Sequence, residues 1–332
     1  MKTFRNNLKF LKKIFSKDKN LGIYNREPIS IKGGIPIFSS RDIYIENYEK
    51  IWKFQLKKLK EENKNPWIEE DLWKTMENST RDLINKHVPL GGKILDVGVG
   101  QGRLLGPLKN YKKYGCDITM GSLEVAQKKG IDVAFAKVEE IPYKRDFFDA
   151  IVVTDVLEHV LDLNFCSEKF LSCLKPGGLL FVRVPFKEDT SPYLDENYQY
   201  TFVHLRSFDE STLRLHFEKI FGLKNIEHKT VAPYLQGTPR LKIRLLPKNL
   251  LDELQEYIKH NKEFSEVANA FKISEESFQD WIYKLQSDSP LLFKKVCDKL
   301  ILGIEINSVF EKPLKETLFN KKLKRLRNNF YK

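Results

Sequence analysis

The sequence predicts an α/β protein built around a mostly parallel β-sheet. From Lys93 onward, short apolar runs of strand length alternate with segments of helical pattern, which is the rhythm of a parallel sheet covered by helices. The first apolar run enters a glycine-rich turn within "KILDVGVGQGRLLGPL" (93–108). The chain has 332 residues, of which 41% are hydrophobic and 12% aromatic, so it can bury a substantial core.

The elements follow one another along the chain. Residues 1–20 place Phe and Leu on one helical stripe among lysines, which predicts a basic amphipathic helix. Residues 21–89 have the pattern of a lead-in segment, with short strands followed by helices. Strands are predicted, with helices between them, at 93–97, 112–117, 131–136, 148–154 and 178–185. Residues 301–313 predict a final strand, so the charged helical block 247–299 is an insertion before it.

The positive charge is concentrated at the two ends of the chain. The formal net charge is +12, and residues 1–20 and 313–332 contribute +6 each, so the residues between them sum to zero. This distribution argues against a basic groove through the body of the protein. It favours ends, including the basic tail 314–332, that contact an anionic surface such as a membrane. The alternative is that both terminal helices pack on their own domain.

The apolar runs, the N-terminus and the cysteines indicate the cellular compartment. No run of about 18 apolar residues is present, and the N-terminus lacks the pattern of a secretory signal. The four cysteines show neither a C-x-x-C pair nor zinc-binding spacing; they are Cys116, Cys166, Cys173 and Cys297. We therefore expect a cytoplasmic protein, peripheral to the inner membrane surface, without a metal site.

The residues around the glycine-rich turn restrict its ligand. A dinucleotide fingerprint needs a small third residue where Arg103 stands, and a phosphate-binding loop needs Lys and then Ser or Thr after Gly102. What remains is D-x-G-x-G-x-G after a first strand, followed by Asp117 at the end of the second strand. A carboxylate there can accept hydrogen bonds from both ribose hydroxyls, and glycines let the backbone lie against a ligand.

Four stretches in this order resemble the class I S-adenosylmethionine-dependent methyltransferases. They are "ILDVGVGQG", the acid Asp117, "AKVEEIPYKRDFFDAIVVTDVLEHV" and "CLKPGGLLFVRVP". The resemblance covers about residues 90–235 and 300–313, and we assign 90–246 and 300–313 to a methyltransferase domain. It implies S-adenosylmethionine as cofactor and a Rossmann-like, seven-stranded sheet with an antiparallel last strand.

The resemblance also implies roles for individual residues. Cofactor binding falls to Asp96, Gly98, Val99, Gly100, Gly102, Asp117, Ile118, Val138, Glu139, Thr154 and Asp155. The glycine turn would contact the methionine portion of the cofactor, and Asp117 would bind the ribose. Ile118 would contact the face of the adenine, and Val138 and Glu139 its edge. Thr154 and Asp155 would line the floor of the pocket below the sulfonium. The sequence departs from the family at Lys137, where an Asp is usual, so that contact is lost or passes to Glu139.

Two histidines are candidate bases for a hydroxyl acceptor. His159 follows Glu158 after the fourth predicted strand, and His204 lies in "HLRSF", which resembles the H-x-R-x-F segment found over the pocket in this family. Helix packing is the alternative for His159, and lid ordering is the alternative for His204. Three further residues are predicted to contact the substrate. Arg206 would bind an anionic group of the substrate, and Tyr193 and Tyr198 would form walls of the substrate pocket.

The lead-in segment suggests the acceptor. "GGIPIF" followed by a helix with Tyr and Trp resembles methyltransferases of surface-polysaccharide and glycolipid pathways, although the cysteines of their zinc ribbon are absent. We therefore expect O-methylation of a saccharide or lipid-linked glycan, with the segment acting as a lid or as a homodimer contact. A quinone-like small molecule is the alternative acceptor.

The alternative from a different functional class is that the chain is a nucleic-acid-binding protein. The outline of a helix–turn–helix in residues 264–285 supports it, but the second helix carries Glu275, Glu276 and Asp280, which phosphates would repel. We therefore do not expect nucleic acid as a partner.

Overall fold

A computed structural model describes residues 22–62, 65–68, 70–186, 188, 190–231 and 304–315. The predicted N-terminal helix, the insertion 247–299 and most of the tail 314–332 lie outside these ranges, so they stay predictions. None of the described helices has the length and apolar composition needed to cross a bilayer.

The described residues form one sheet of nine strands. They are β1 Ser30–Lys32, β2 Ile35–Ile37, β3 Lys93–Val97, β4 Lys112–Asp117, β5 Asp132–Phe135, β6 Phe148–Thr154, β7 Leu174–Pro185, β8 Lys224–Val231 and β9 Glu305–Glu311. The order across the sheet is β1-β2-β5-β4-β3-β6-β7-β9-β8. Strands β2 to β7 pair in parallel, whereas β9 runs antiparallel between β7 and β8.

The sheet is larger than predicted, with nine strands instead of seven. The seven expected strands are present, and the hairpin β1–β2 adds two more at the β5 edge, where Ile37 lies opposite Phe135 and the Phe38 N–H donates to the Phe135 carbonyl at 2.8 Å. The sequence pattern placed these short strands in a separate lead-in segment, because three-residue strands carry no signal of their partner. The sheet continues into that segment.

Helices cover the sheet between the strands. They are α1 Ile43–Glu62, α2 Glu70–His87, α3 Met120–Lys128, α4 Leu163–Cys173 and α5 Glu210–Arg214, which continues as a π-helical turn over Leu215–Ile220. The predicted helix after β3 is absent from the described chain, since residues 99–108 form successive turns. Gly100, Gly102, Gly106 and Pro107 fall within that stretch, and glycine and proline both oppose a regular helix.

The central strands are buried on both faces, as parallel strands between helical layers must be. Consecutive residues of β3 show this, since Leu95 packs in one hydrophobic cluster with Ile151 and Phe170, and Ile94 packs in the other with Leu105 and Val152. Strands β4 and β6 lie on either side of β3, and the strand order continues from them towards opposite edges of the sheet. Such a reversal of strand order opens a crevice at the carboxyl ends of the strands.

Candidate active site

A cavity of about 240 Å³ lies in that crevice. The carboxyl ends of β3, β4, β5 and β6 each contribute to its wall, and one face of α1 forms the opposite side. Eight predicted site residues line it, which are Gly98, Gly100, Asp117, Ile118, Val138, Glu139, Asp155 and His159. Eight residues predicted for the site, spread over about sixty positions, therefore meet at one cavity, and their cofactor or catalytic roles stay predictions.

The glycine turn after β3 has a backbone that other residues would distort. Gly98 has φ of +79°, and a Cβ there would lie 2.3 Å from Cγ2 of Val156. Gly100 has φ of +49°, and a Cβ there would point into open space. The Gly98 and Val99 N–H groups both donate to the Cys116 carbonyl, at 2.9 and 3.0 Å, which ties the turn to β4. The backbone at Gly98 and Gly100 is thereby held against the cavity.

Asp117 ends β4 at the wall of the cavity. Its Oδ2 accepts a 2.9 Å hydrogen bond from the Gly100 N–H, and its Oδ1 accepts a 2.7 Å bond from the Thr119 N–H. Burial raises the pKa of this carboxyl, and the two backbone donors act in the opposite direction. The Thr119 side chain and the Ile118 N–H also act on this carboxylate as donors. An ionised carboxylate has about four lone-pair positions, so a ligand hydroxyl competes with or joins these donors.

Four predicted cofactor residues do not line the cavity wall. Asp96 is 2% exposed within β3, its Oδ1 has no hydrogen-bond partner among the described residues, and burial raises its pKa well above the usual range. A Cβ at Gly102 would lie 2.6 Å from Cδ1 of Ile131. The absence of a side chain at Gly102 therefore allows its backbone to pack closely against Ile131. Val99 and Thr154 are also absent from the wall. Their predicted cofactor contacts stay predictions.

Lys137 replaces the usual family Asp and has a structural partner. Its Nζ bonds Asp42 Oδ2 at 2.7 Å, and its N–H donates to Ser39 Oγ at 2.9 Å. Asp42 also accepts the Ile45 N–H at the start of α1, at 3.0 Å. The ion pair therefore fastens the beginning of α1 to the end of β5, and Glu139 remains on the wall for a ligand.

The face of α1 towards the cavity was not predicted. Tyr44, Tyr48, Ile51, Trp52 and Gln55 all contribute to the wall. Their spacing of four, three, one and three residues is that of one helical face, which is the signal that the sequence offered. This aromatic face closes one side of the cavity, and the lid role expected for the lead-in segment stays a prediction.

Trp52 packs directly on Gly121 at the start of α3, where a Cβ would lie 2.1 Å from the indole Cη2. We expect Gly121→Ala to push Trp52 out of the wall and weaken binding of a cavity ligand about fivefold, matching the ~1 kcal/mol at the low end of overpacking costs. Calorimetric titration with S-adenosylmethionine measures this. In a Trp52→Leu background the same change should alter affinity by no more than about twofold. Equal losses in both backgrounds would contradict the contact.

The other end of the cavity leads to a pair of histidines. The rings of His159 and His204 meet edge to face with centroids 4.6 Å apart, and the Tyr48 ring contacts His159 at 5.6 Å. The Nδ1 of His204 is hydrogen-bonded to Oε2 of Glu188, and the Tyr193 hydroxyl donates to Oε1 of the same carboxylate at 2.9 Å. Glu188 was not identified from the sequence, and it orients the His204 ring.

Glu158, whose Oε1 lies 3.9 Å from Nε2 of His159, is fully buried. Neither of its carboxylate oxygens has a hydrogen-bond partner among the described residues. Burial, with the nearby charge of Asp155, raises its pKa well above the usual range. Burial and the neighbouring His204 lower the pKa of His159 to about 3, so its imidazole is neutral at physiological pH.

The segment from His204 to Arg206 is fastened to the turn that carries His159. The Leu205 N–H donates to the Glu158 carbonyl at 2.8 Å. The guanidinium of Arg206, predicted to bind substrate, donates to three backbone carbonyls, those of Leu157 at 2.8 Å, Val160 at 2.5 Å and Leu161 at 3.2 Å. Its contacts therefore hold the two histidine segments together, and substrate binding by Arg206 stays a prediction.

The predicted substrate tyrosines lie beside His204. The Tyr193 ring is 5.3 Å from His204 and 5.2 Å from Tyr198, and Tyr200 continues the series at 6.2 Å towards Trp67 at 6.0 Å. We call Tyr193, Tyr198, Tyr200 and Trp67 the aromatic row. The row runs from the histidines to the protein surface, where Trp67 is 46% exposed. The row therefore supplies aromatic surface beside His204.

Asp155 at the end of β6 is held by a buried cation. It adopts φ of +54°, and its carboxylate pairs with Arg183, which is 2% exposed in β7 and also lies against Glu305 of β9. Burial opposes the charge of Arg183, but the two carboxylates together raise its pKa. The strained backbone of Asp155 thus has a partner that keeps it in the wall of the cavity.

Comparisons with known proteins identify what this part of the chain resembles. Residues 72–228 match a family model described as a methyltransferase domain. That match covers just under half of the chain. The sheet order, the glycine turn and the acid after β4 agree with the class I methyltransferase fold over this part.

Two curated relatives and one solved structure show the range of similar proteins. The mitochondrial ubiquinone biosynthesis O-methyltransferase of Homo sapiens is 37% identical over 137 residues, covering 35% of this chain and 34% of that protein. The tRNA (carboxymethyluridine(34)-5-O)-methyltransferase of Arabidopsis thaliana is 34% identical over 109 residues, covering 31% and 27%. This chain therefore spans about a third or less of either relative.

The solved structure is phosphoethanolamine N-methyltransferase 2 of Haemonchus contortus in complex with S-adenosylmethionine. It has 19% identity and a TM-score of 0.42, covering 71% of this chain and 52% of that one.

Proposed function

We propose that this chain is an S-adenosylmethionine-dependent O-methyltransferase acting on a hydroxyl of a ring-shaped acceptor, with a saccharide or lipid-linked glycan as the first candidate. One observation carries the proposal. The cavity of the glycine turn and Asp117 ends at His159, which contacts His204, whose ring is oriented by Glu188. A cofactor site and a proton-accepting site thus share one crevice.

The residues of the cavity fit the proposed cofactor. Bound S-adenosylmethionine supplies a methyl group on a sulfonium. The carboxylate of Asp117 accepts the ribose hydroxyls, and the exposed backbone of Gly98 and Gly100 leaves room for the methionine portion. Ile118 and Val138 offer apolar surface to the adenine.

Methyl transfer to oxygen requires an acceptor that has lost, or is losing, its proton. His204 is the ring best placed for this, because Glu188 holds its Nδ1 and leaves Nε2 towards the acceptor side. The neutral ring of His159 lies between it and the cofactor cavity. The acceptor hydroxyl would therefore lie between the two histidines and the cavity, aligned for in-line displacement.

The aromatic row supports an acceptor with a ring. Tyr193 and Tyr198 offer ring surface against which a sugar or phenol ring can pack, and the Glu188 carboxylate adds a polar group beside them. Aromatic faces combined with carboxylates suit the apolar faces and polar edges of a saccharide.

A quinol-like phenol is the second candidate. The identity to the human ubiquinone biosynthesis O-methyltransferase favours it, and the aromatic row would accept a phenol ring as well. A phenol ionises more readily than a sugar hydroxyl, so it would depend less on His204.

Calorimetry and an acceptor panel test the proposal. We expect S-adenosylmethionine and its demethylated product each to bind the full chain at one site. Transfer of a labelled methyl group is then assayed with lipid-linked saccharides, prenylated polyhydroxyphenols and tRNA. Methylated saccharide supports the first candidate, and methylated phenol supports the second. Absence of cofactor binding, or transfer to tRNA alone, would overturn the proposal.

The predictions about the ends of the chain accompany this proposal. Contact of residues 1–20 and 314–332 with an anionic inner membrane surface would bring the domain to a lipid-linked acceptor. The cytoplasmic location, the homodimer and this contact stay predictions. Binding to anionic vesicles that is lost on deleting 1–20 would support the contact.

A further inference from the structure

Three side chains beside the cavity form a cluster with metal-ligating atoms. Glu158, His159 and His204 each offer one oxygen or nitrogen ligand atom, and these atoms all lie within 4.8 Å of one another. The cluster joins a turn after β6 with a segment about 45 residues later. No cysteine takes part in this cluster, so the cysteine spacings behind the expectation of no metal site do not bear on it.

The state of Glu158 is an independent observation. The side chain is fully buried, and neither oxygen has a hydrogen-bond partner among the described residues. A buried polar group without a partner carries a large free-energy cost, and buried carboxylates are normally paired or bound to metal. The nearest imidazole, that of His159, has its Nε2 3.9 Å from Glu158 Oε1.

The surroundings of His204 match those of a metal-binding histidine. Metal-ligating imidazoles usually donate their other N–H to a carboxylate, which fixes the tautomer and the ring orientation. Glu188 is bonded to Nδ1 of His204, so Nε2 is the nitrogen that remains for a ligand bond. Tyr193 in turn donates to Glu188 at 2.9 Å. His204 is therefore held in one orientation by an outer layer of hydrogen bonds.

The backbone that carries the cluster is also fixed. Leu205 bonds the Glu158 carbonyl, and Arg206 bonds three carbonyls of residues 157–161. The two segments cannot separate without losing these bonds. The three ligand atoms therefore stay close together whether or not an ion is bound, which is what a preformed site requires.

We propose that Glu158, His159 and His204 bind one divalent cation, Zn²⁺ by ligand preference, beside the methyl-transfer site. Two imidazoles and one carboxylate with a fourth position open are a ligand set of catalytic zinc sites. The role given to the cation rests on the proposed function, because the fourth ligand is the acceptor hydroxyl oxygen.

The cation accounts for the loss of the acceptor proton. With the cation bound, Nε2 of His204 is a ligand and no longer the proton acceptor. The cation would instead lower the pKa of the coordinated hydroxyl, whose O–H bond would break with the proton passing to bulk water. The electron pair stays on the oxygen, which the cation holds beside His159 at the edge of the cofactor cavity. A saccharide hydroxyl, which ionises poorly by itself, gains most from such assistance.

Metal titration of the full chain tests the site directly. After dialysis against a chelator, we expect Zn²⁺ to bind with a stoichiometry of one in calorimetry, and Co²⁺ to give visible absorption of a four-coordinate centre. Glu158→Gln and His204→Ala should each weaken Zn²⁺ binding at least about 100-fold, and Glu188→Gln about tenfold. His228→Ala is the matched control, because His228 is 44% exposed and pairs with Glu210 away from the cluster.

Titration of the same variants with S-adenosylmethionine separates this inference from the proposed function. Unchanged cofactor affinity in Glu158→Gln and His204→Ala shows that these variants remain folded. Cofactor binding without stoichiometric Zn²⁺ or Co²⁺ binding, or equal Zn²⁺ affinity in the wild type and these two variants, would overturn the metal site alone. Metal binding with the expected variant pattern but no cofactor binding would overturn the proposed function and leave the site standing.

Discussion

Replacing His204 with alanine should lower kcat about 100-fold, the lower end of the contribution of a positioned acid–base group. The acceptor proton leaves beside this ring, whose orientation depends on Glu188. Affinity for S-adenosylmethionine should change by less than about twofold, because His204 lies outside the cavity wall. Steady-state kinetics with the acceptor identified by the panel, together with calorimetry, measure both quantities.

Two further variants sharpen this prediction. Glu188→Gln keeps the shape of the side chain but weakens its hold on the imidazole, so we expect an intermediate loss of kcat, about tenfold. His228→Ala should leave kcat unchanged, since His228 pairs with Glu210 on the surface. A His204→Ala variant with wild-type kcat would remove His204 from the mechanism.

Replacing Asp117 with alanine should weaken binding of S-adenosylmethionine about tenfold or more, roughly 1.4 kcal/mol. The variant removes the acceptors for the ribose hydroxyls, and it also removes the bonds that hold the Gly100 and Thr119 N–H groups. Asp117→Asn keeps one acceptor oxygen, so its loss should be smaller. Calorimetric titration of both variants measures the difference.

Asp132, a carboxylate on the strand that pairs with β4, serves as the control for Asp117. Asp132 lies at the start of β5, exposed and at the opposite end of that strand from the cavity. Asp132→Ala should leave cofactor affinity unchanged. If Asp117→Ala bound S-adenosylmethionine as tightly as the wild type, the assignment of this cavity to the cofactor would be wrong.

Much of the central sheet could be predicted because its signals are local. Strands β3, β4 and β6 have the predicted bounds, since a short apolar run between polar turns is visible in a few consecutive residues. The glycine turn and Asp117 were found for the same reason, because positive φ requires glycine and the acid directly follows a strand.

The partners of these residues could not be predicted in the same way. Asn47 of α1 bonds the backbone of Thr201 and Phe202, about 155 positions away, and no periodic pattern indicates that contact. Arg206 has the charge of a substrate-binding residue, yet its donors are directed to carbonyls. Charge and spacing describe what a side chain can bind, whereas the fold decides which partner is within reach.

The sequence by itself determined the mostly parallel α/β sheet, the glycine turn and the acid that follows β4, because each depends on neighbours along the chain. Only the tertiary structure decided that α1 covers the cavity, that Glu188 orients His204, and that Glu158 is buried without a hydrogen-bond partner near two imidazoles. These features arise where segments far apart in sequence pack together. Burial then changes the chemistry of the groups, since removal from water raises the pKa of a carboxyl and lowers that of an imidazole.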